Sequence, residues 1–104
     1  MTAQVVLLAA AEADLAAAVA WYDRQAPGLG DSFIGQVEAV FDQLRRRPEM
    51  YQVAFAAVRR AVLQRFPFAV IYHVRLTSIE VLGVLPCRAD PKLLMQRVAT
   101  IGNQ

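Results

Sequence analysis

The chain has 104 residues, of which 57% are hydrophobic, and a net charge of +2. This length fits a single domain, residues 1–104, whose core is large enough to fold without disulfides. The single cysteine, Cys87, excludes an internal disulfide and suits a reducing cytoplasm. One cysteine and one histidine, His73, are too few for a zinc site unless carboxylates or a second chain contribute, so we expect no metal and no cofactor.

Positive charge is concentrated in the second half of the sequence. Residues 1–50 carry four basic and seven acidic side chains, a net charge of −3. Residues 51–104 carry seven basic and two acidic side chains, a net charge of +5. Ten of the eleven basic residues are arginines, whose planar guanidinium groups favour forked contacts with carboxylates or phosphates. The second half therefore predicts a surface that binds an anionic partner.

The N-terminal stretch predicts a short strand followed by a helix. Residues 5–8 are apolar, and from Asp14 onwards apolar residues recur at helical spacing as far as Gln25. Pro27, Gly28 and Gly30 then interrupt the pattern.

The same stretch is apolar enough to be compared with a signal or membrane segment. No basic residue precedes it, and Glu12 and Asp14 interrupt it with charges that are costly in a bilayer. We therefore expect a soluble, cytoplasmic protein with no membrane partner.

A second helix follows. Its apolar stripe has good helical spacing and consists of Phe33, Val37, Val40, Phe41 and Leu44. Asp31 or Ser32 is the expected N-terminal cap, and Pro48 is expected to end the helix. Together the two helices predict a helical hairpin with a short loop.

From Val58 the apolar pattern changes to the period of two that is typical of strands. We predict strands over residues 58–66, 68–76 and 79–85, separated by turns at Pro67 and at Thr77-Ser78. The third strand is almost continuously apolar, as expected in the middle of a sheet covered on both faces.

Asp90-Pro91 predicts the start of a short C-terminal helix over residues 92–101, because aspartate caps a helix and proline fits its first turn. The predicted order is strand–helix–helix–strand–strand–strand–helix. It indicates an α+β fold, in which the helical hairpin packs on one face of a small, mostly antiparallel sheet.

These residues resemble toxins of the RelE/ParE superfamily, also described as plasmid stabilisation proteins, and are closer to ParE-like members. The resemblance covers roughly residues 10–97. It lies in the following segments: Ala13-Asp14-Leu15, Trp21-Tyr22, Pro27-Gly28-Leu29-Gly30 with Phe33, Val58-Arg59-Arg60, Arg65-Phe66-Pro67-Phe68, Ile71-Tyr72, Val81-Leu82 and Arg88-x-Asp90-Pro91.

The resemblance implies the same fold and the toxin component of a type II toxin–antitoxin system, neutralised by a cognate antitoxin. ParE-like members bind DNA gyrase and block it without chemistry. RelE-like members cut messenger RNA on the ribosome. A third implied possibility is an inactive relative that only binds its antitoxin. The resemblance leaves the assembly open: the free protein could be a monomer or a homodimer, and the complex with antitoxin could be a heterotetramer.

Metal-free RNA cleavage needs a base, an acid and cations around the phosphate. Arg59, Arg65 and Arg88, with His73, are the candidates if this chain is a nuclease. Several nuclease relatives carry a histidine at the position occupied here by Pro86, and their C-terminal aromatic residue has no counterpart in residues 99–104. The sequence therefore favours a ParE-like gyrase inhibitor that acts by binding, and the ribosome-dependent nuclease is the alternative.

The expected contacts to the target, or to phosphate, are arginines of the second half: Arg59, Arg60, Arg65, Arg88 and Arg97. The structural alternative is that these guanidinium groups pair with Glu80, Asp90 or helix C-termini. Glu80 and Asp90 are the only acidic residues in that half, so they cannot neutralise all of the arginines.

Overall fold

A computed structural model describes residues 3–101. Its elements, in chain order, are β1 (Gln4–Leu7), α1 (Ala9–Gln25), α2 (Leu29–Arg46), β2 (Gln52–Phe55), β3 (Val58–Val62), β4 (Phe68–Val74), β5 (Ser78–Pro86) and α3 (Pro91–Ala99). This architecture confirms the predicted α+β fold, with an N-terminal helical hairpin, a mostly antiparallel sheet and a short C-terminal helix. No helix within residues 3–101 is long and apolar enough to cross a membrane.

The five strands form one sheet in the order β1-β5-β4-β3-β2. Strand β1 runs parallel to β5, and the other three pairings are antiparallel. Strand β5 lies between β1 and β4, and its residues 81–85 are all buried. The continuous apolar pattern of this segment had indicated such a central position.

The sheet is covered on both faces. On one face, α1 and α2 bury the main core, which includes Phe33, Leu44, Tyr72 and Ile79. On the other face, partly buried side chains of α3 cover a second cluster, formed by Val58, Ala69, Ile71, Leu82 and Leu85. The C-terminal helix therefore completes a third layer.

Phe33 lies at the centre of an aromatic cluster that joins the helices to the sheet. Its side chain is fully buried. Its ring centroid lies 5.3 Å from that of Tyr22, 5.2 Å from that of Phe66 and 5.0 Å from that of Phe68. Tyr22 belongs to α1, Phe33 to α2, Phe66 to the β3–β4 loop and Phe68 to β4, so the cluster fixes the helices to this part of the sheet.

The junction of the helical hairpin differs from the prediction. Helix α2 begins at Leu29, before Asp31 and Ser32, and no side chain of its own N-terminal residues caps it. Instead, Asp23 Oδ1 near the end of α1 accepts a hydrogen bond from the N–H of Gly30 at 2.8 Å. Gly28 has φ 85°, a left-handed conformation that makes this tight turn accessible.

Two predicted strand ends were wrong. Strand β3 ends at Val62 rather than at residue 66, because Leu63 N donates to Phe68 O at 2.9 Å and closes a turn there. Arg65 therefore lies in a loop, and Phe66 turns into the main core. Strand β4 ends at Val74, which leaves Leu76 fully exposed at the following turn.

Strand β2 was not predicted. All four of its residues are exposed, including Val53 and Phe55, and it forms an outer edge of the sheet. Its segment is only four residues long, and Ala56-Ala57, which joins it to β3, carries none of the usual turn residues. Ala56 nevertheless adopts φ 51°, in the left-handed region that normally favours glycine or asparagine.

Replacing Ala56 with glycine is expected to stabilise the fold by about 0.5–1 kcal/mol, because the native φ of 51° strains a residue with a Cβ atom. Urea unfolding measures the change. Ala57→Gly is the matched control, because positive φ within residues 3–101 occurs only at Ala56 among non-glycine residues. Equal effects of the two substitutions would show that the turn at Ala56 carries no strain.

Candidate partner-binding site

Two loops that carry exposed arginines lie side by side at one end of the sheet. The first joins β3 to β4, and the second follows β5; Cys87 N of the second donates to Pro67 O of the first at 2.8 Å. Arg65 lies in the first loop and Arg88 in the second, and both are exposed. Within residues 3–101 neither guanidinium has a hydrogen-bond or ion-pair partner. With Arg60, which is described next, they form what we call the arginine end.

Arg60 lies on β3, and its side chain reaches the same end of the sheet. It pairs with Ile71 across the β3–β4 ladder and is half-buried on the face covered by α3. Its Nη2 lies 3.4 Å from Cys87 O, so it tethers the turn that carries Arg88. Its remaining N–H groups are available to a ligand along the rim of the adjacent hollow.

A hollow of about 320 Å³ lies beside the arginine end, between β2, the end of β5 and the start of α3. Its apolar lining includes Ala69, Ile71, Leu85 and Leu94, and its charged lining consists of Arg60 and Asp90. The exposed strand β2 forms one wall through Gln52, Val53 and Ala54. The site thus combines an unpaired strand edge, an apolar floor and positive charge.

Arg59 lies on the opposite face from Arg60 and does not converge with it. Its Nη1 donates to Tyr51 O at 2.7 Å and to Glu49 O at 3.1 Å. These bonds fix the connection between α2 and β2. The adjacent arginines predicted as one binding group are therefore divided by the alternation of the strand.

Arg97 is engaged inside the fold. Its Nη1 and Nη2 donate to the two carboxylate oxygens of Asp14, at 2.6 and 2.9 Å, and Nη1 also donates to Leu82 O at 3.0 Å. The two side chains are only 15% and 17% exposed. The hydrogen bond to Asp14 raises the pKa of Arg97, so the guanidinium stays charged. Arg97 was expected to contact the target, but its forked contact is already occupied by Asp14.

The two acidic residues of the second half do not neutralise the arginine end. Glu80 lies on β5 near His73 and Arg75; its Oε1 is 3.3 Å from Arg75 Nη1 and 4.0 Å from His73 Nδ1. Asp90 caps α3 by accepting a hydrogen bond from Lys92 N at 2.9 Å. Arg65 and Arg88 therefore have no carboxylate partner within residues 3–101.

His73 is remote from these arginines. It pairs with Glu80 near the C-terminal end of β4, whereas the arginine end adjoins Phe68 at the start of that strand. Five residues of extended strand span about 17 Å. The histidine considered for a nuclease therefore does not meet Arg65 or Arg88.

Comparisons with known proteins identify the family. The family model described as "ParE toxin of type II toxin-antitoxin system, parDE" matches residues 5–91. The chain belongs to the ParE toxin family. A comparison with curated proteins gave no match.

Ten solved chains match this ParE-family toxin. One of them comes from a structure described as "Chromosomal ParDE TA system from P. aeruginosa", with a TM-score of 0.72 and 19% sequence identity. The match covers 82% of the present chain and 96% of the other. At this identity the likeness supports the shared fold.

Tyr72 in this ParE-family toxin is a structural residue rather than a catalytic base. Its side chain is fully buried, and its hydroxyl donates to Pro48 O at 2.6 Å. Burial raises the pKa of Tyr72 to about 12. The phenol therefore stays protonated near neutral pH and cannot act as a base there.

The raised pKa of Tyr72 predicts a stability change in alkaline solution. The Tyr72 hydroxyl keeps its proton up to a pH of about 12 in the folded protein, whereas in the unfolded chain it loses the proton near pH 10. The contribution of protonated Tyr72 to the free energy of unfolding is therefore complete below pH 10 and is lost as the pH rises towards 12. Urea unfolding of Tyr72→Phe tests this. The variant is expected to be about 1 kcal/mol less stable at pH 8, because it lacks the bond to Pro48. This deficit should shrink above pH 10 and change sign before pH 11.5, because the native tyrosine then loses about 1.4 kcal/mol of stability per pH unit; a constant deficit would contradict the prediction.

Two features of this ParE-family toxin were missed from the sequence, namely strand β2 with its hollow and the Asp14–Arg97 pair. Asp14 was placed on the apolar stripe of the first helix, and a carboxylate at such a position is a signal for a buried cation. Gly83 inside an apolar strand was a second signal, because glycine in a strand interior often marks a bulge or a close approach. Neither signal identifies which of the arginines is the partner.

Proposed function

We propose that this ParE-family toxin inhibits DNA gyrase by binding one of its subunits, without chemistry of its own, and that a cognate antitoxin neutralises it. The observation that carries the proposal is the arginine end. Arg65 and Arg88 are exposed on adjacent loops, and neither Glu80 nor Asp90 neutralises them. Such guanidinium groups favour a partner that presents carboxylates.

The surroundings of the arginines support binding rather than RNA cleavage. A general base must lie within about 3 Å of the hydroxyl group that it deprotonates. His73 lies at the far end of β4, and Tyr72 is buried with a pKa of about 12. Pro86, at the position where nuclease relatives carry a histidine, cannot transfer protons. The tail without an aromatic residue lies partly outside the described residues, at 102–104.

Arg60, Arg65 and Arg88 are the contacts that we assign to the target. Arg60 borders the hollow, so an apolar side chain of the partner can enter the cavity while its carboxylates meet the guanidinium groups. Arg59 and Arg97 instead hold the backbone and Asp14. Their substitution is expected to act through stability.

The antitoxin is proposed to cover β2 and the hollow. The interface between the helical hairpin and the sheet is occupied by the main core. A strand of the antitoxin can instead add to the unpaired edge of β2, where Val53 and Phe55 are exposed. This location would let the antitoxin shield the adjacent arginine end.

A supercoiling assay tests the proposed function. The purified protein is expected to inhibit gyrase, and premixing it with the antitoxin encoded beside it should restore supercoiling. A translating extract, probed for cleaved messenger RNA, should show none. Cleavage without gyrase inhibition would favour the nuclease. The absence of growth arrest when the protein is expressed without its antitoxin would indicate an inactive relative.

A further inference from the structure

We propose that Asp14 and Arg97 are positioning residues for the arginine end: their ion pair holds α3 against the edge of β5 and thereby fixes the turn that presents Arg88. The functional half of this inference rests on the proposed binding to gyrase. The structural half concerns only α3 and the turn, and is tested separately.

The ion pair lies where β5 loses its neighbouring strand. Strand β1 ends at Leu7, which pairs with Val81, and Leu8 N makes the last such bond, to Val81 O at 3.0 Å. Beyond that point Arg97 Nη1 donates to Leu82 O at 3.0 Å, and Asp14 Oδ2 accepts from Val84 N at 3.0 Å. Side chains from α1 and α3 thus replace a strand along this part of the β5 edge.

The backbone of β5 is shaped to admit this pair. The β4–β5 register shifts between Ile71 and Tyr72, which pair with Gly83 and Val81, so Leu82 is an extra residue in a bulge. A Cβ atom at Gly83 would lie 2.6 Å from Arg97 Nη1 and 3.1 Å from Asp14 Oδ2. Glycine therefore leaves the space that the guanidinium and the carboxylate occupy.

Helix α3 depends strongly on this contact. The helix has nine residues, none of which is fully buried. Its apolar side chains that pack on the second cluster are only partly buried; these are Leu93, Leu94 and Val98. Arg97, by contrast, makes a forked hydrogen bond to Asp14 in a largely buried site. Removing one partner of such a pair leaves the other charge buried without compensation, which is strongly unfavourable.

The turn that carries Arg88 lies between β5 and α3. The first residue of the turn, Cys87, is held by its hydrogen bonds to Pro67 and Arg60. The last residue of the turn, Asp90, is held because it caps α3. Arg88 lies between these anchors, in a turn that Ala89 N closes by donating to Pro86 O at 2.9 Å, and the C-terminal side of this turn leads directly into α3. Because Arg97 holds α3 near its other end, loosening the ion pair should free the turn on its C-terminal side.

Asp14→Asn, which keeps the shape of the side chain but removes its charge, is the test variant. Hydrogen exchange of residues 91–99 and the rate of trypsin cleavage after Arg88 report on α3 and the turn. Both are expected to rise about tenfold, while exchange in α2 stays unchanged. Gyrase inhibition is expected to weaken about tenfold, a typical size for coupling between sites that do not touch.

Asp42→Asn is the matched control, because Asp42 forms an exposed pair with Arg45 at 2.7 Å, remote from α3. It should change neither cleavage nor inhibition. Arg97→Lys, which keeps the charge but loses the forked hydrogen bond, should change exchange, cleavage and inhibition in the same direction as Asp14→Asn.

If Asp14→Asn left exchange in α3 and cleavage after Arg88 unchanged, the positioning role would be refuted. If both rose while inhibition by an active protein stayed the same, its link to the target would be refuted. Failure of the unmodified protein to inhibit gyrase would overturn the proposed function, and cleavage after Arg88 would still decide whether the pair positions the turn.

Discussion

Replacing Arg65 and Arg88 together with alanine is expected to weaken gyrase inhibition about 100-fold or more, with the fold intact. Both side chains are exposed and have no partner within residues 3–101, so their loss removes no internal contact. Each charge-assisted hydrogen bond to a partner carboxylate contributes about 1.5–3 kcal/mol, and two such contacts account for the expected loss. The concentration that halves supercoiling measures the effect.

The control for this pair is the double substitution Arg46→Ala and Arg47→Ala. It removes the same charge from exposed residues at the C-terminal end of α2. Unchanged inhibition is expected, apart from a small general effect that salt screens. If both double variants weakened inhibition equally, net charge rather than the arginine end would be responsible, and the proposed contacts would be wrong.

Phe33→Ala is expected to lower the free energy of unfolding by about 3–5 kcal/mol, which is the usual cost of truncating a buried phenylalanine. The ring is fully buried and contacts aromatic rings from α1, from the β3–β4 loop and from the start of β4. The surrounding segments are fixed by one another, so they cannot close the cavity easily. Urea unfolding, followed by far-ultraviolet circular dichroism, measures the loss.

Phe55→Ala makes the same chemical change on exposed strand β2 and serves as its control. Its expected cost is below about 1 kcal/mol, because a half-exposed ring loses little burial. A cost at Phe33 as small as that at Phe55 would mean that the aromatic cluster does not hold the helical hairpin to the sheet.

Phe55→Ala also tests the antitoxin proposal, since binding of the antitoxin should weaken while the free energy of unfolding is nearly unchanged.

The candidate site was partly predictable. The sequence contains more arginines than carboxylates in its second half, so some of these cations needed an anion from the first half or from another molecule. Counting could not show which ones. Strand alternation sends Arg59 and Arg60 to opposite faces, and the early end of β3 moves Arg65 into a loop beside Arg88. Arg97 meets Asp14, a residue 83 positions away, which no local pattern indicates.

Local sequence patterns were sufficient to predict the helical hairpin, the buried central strand and the cap of α3, because these depend on hydrophobic period and on neighbouring residues. The family resemblance also lay in local segments. Three features became visible only in the folded chain: the edge strand β2, the cap of α2 by Asp23, and the division of the arginines into structural and available ones. Each of these depends on contacts between distant segments, and such contacts form only when the chain is packed.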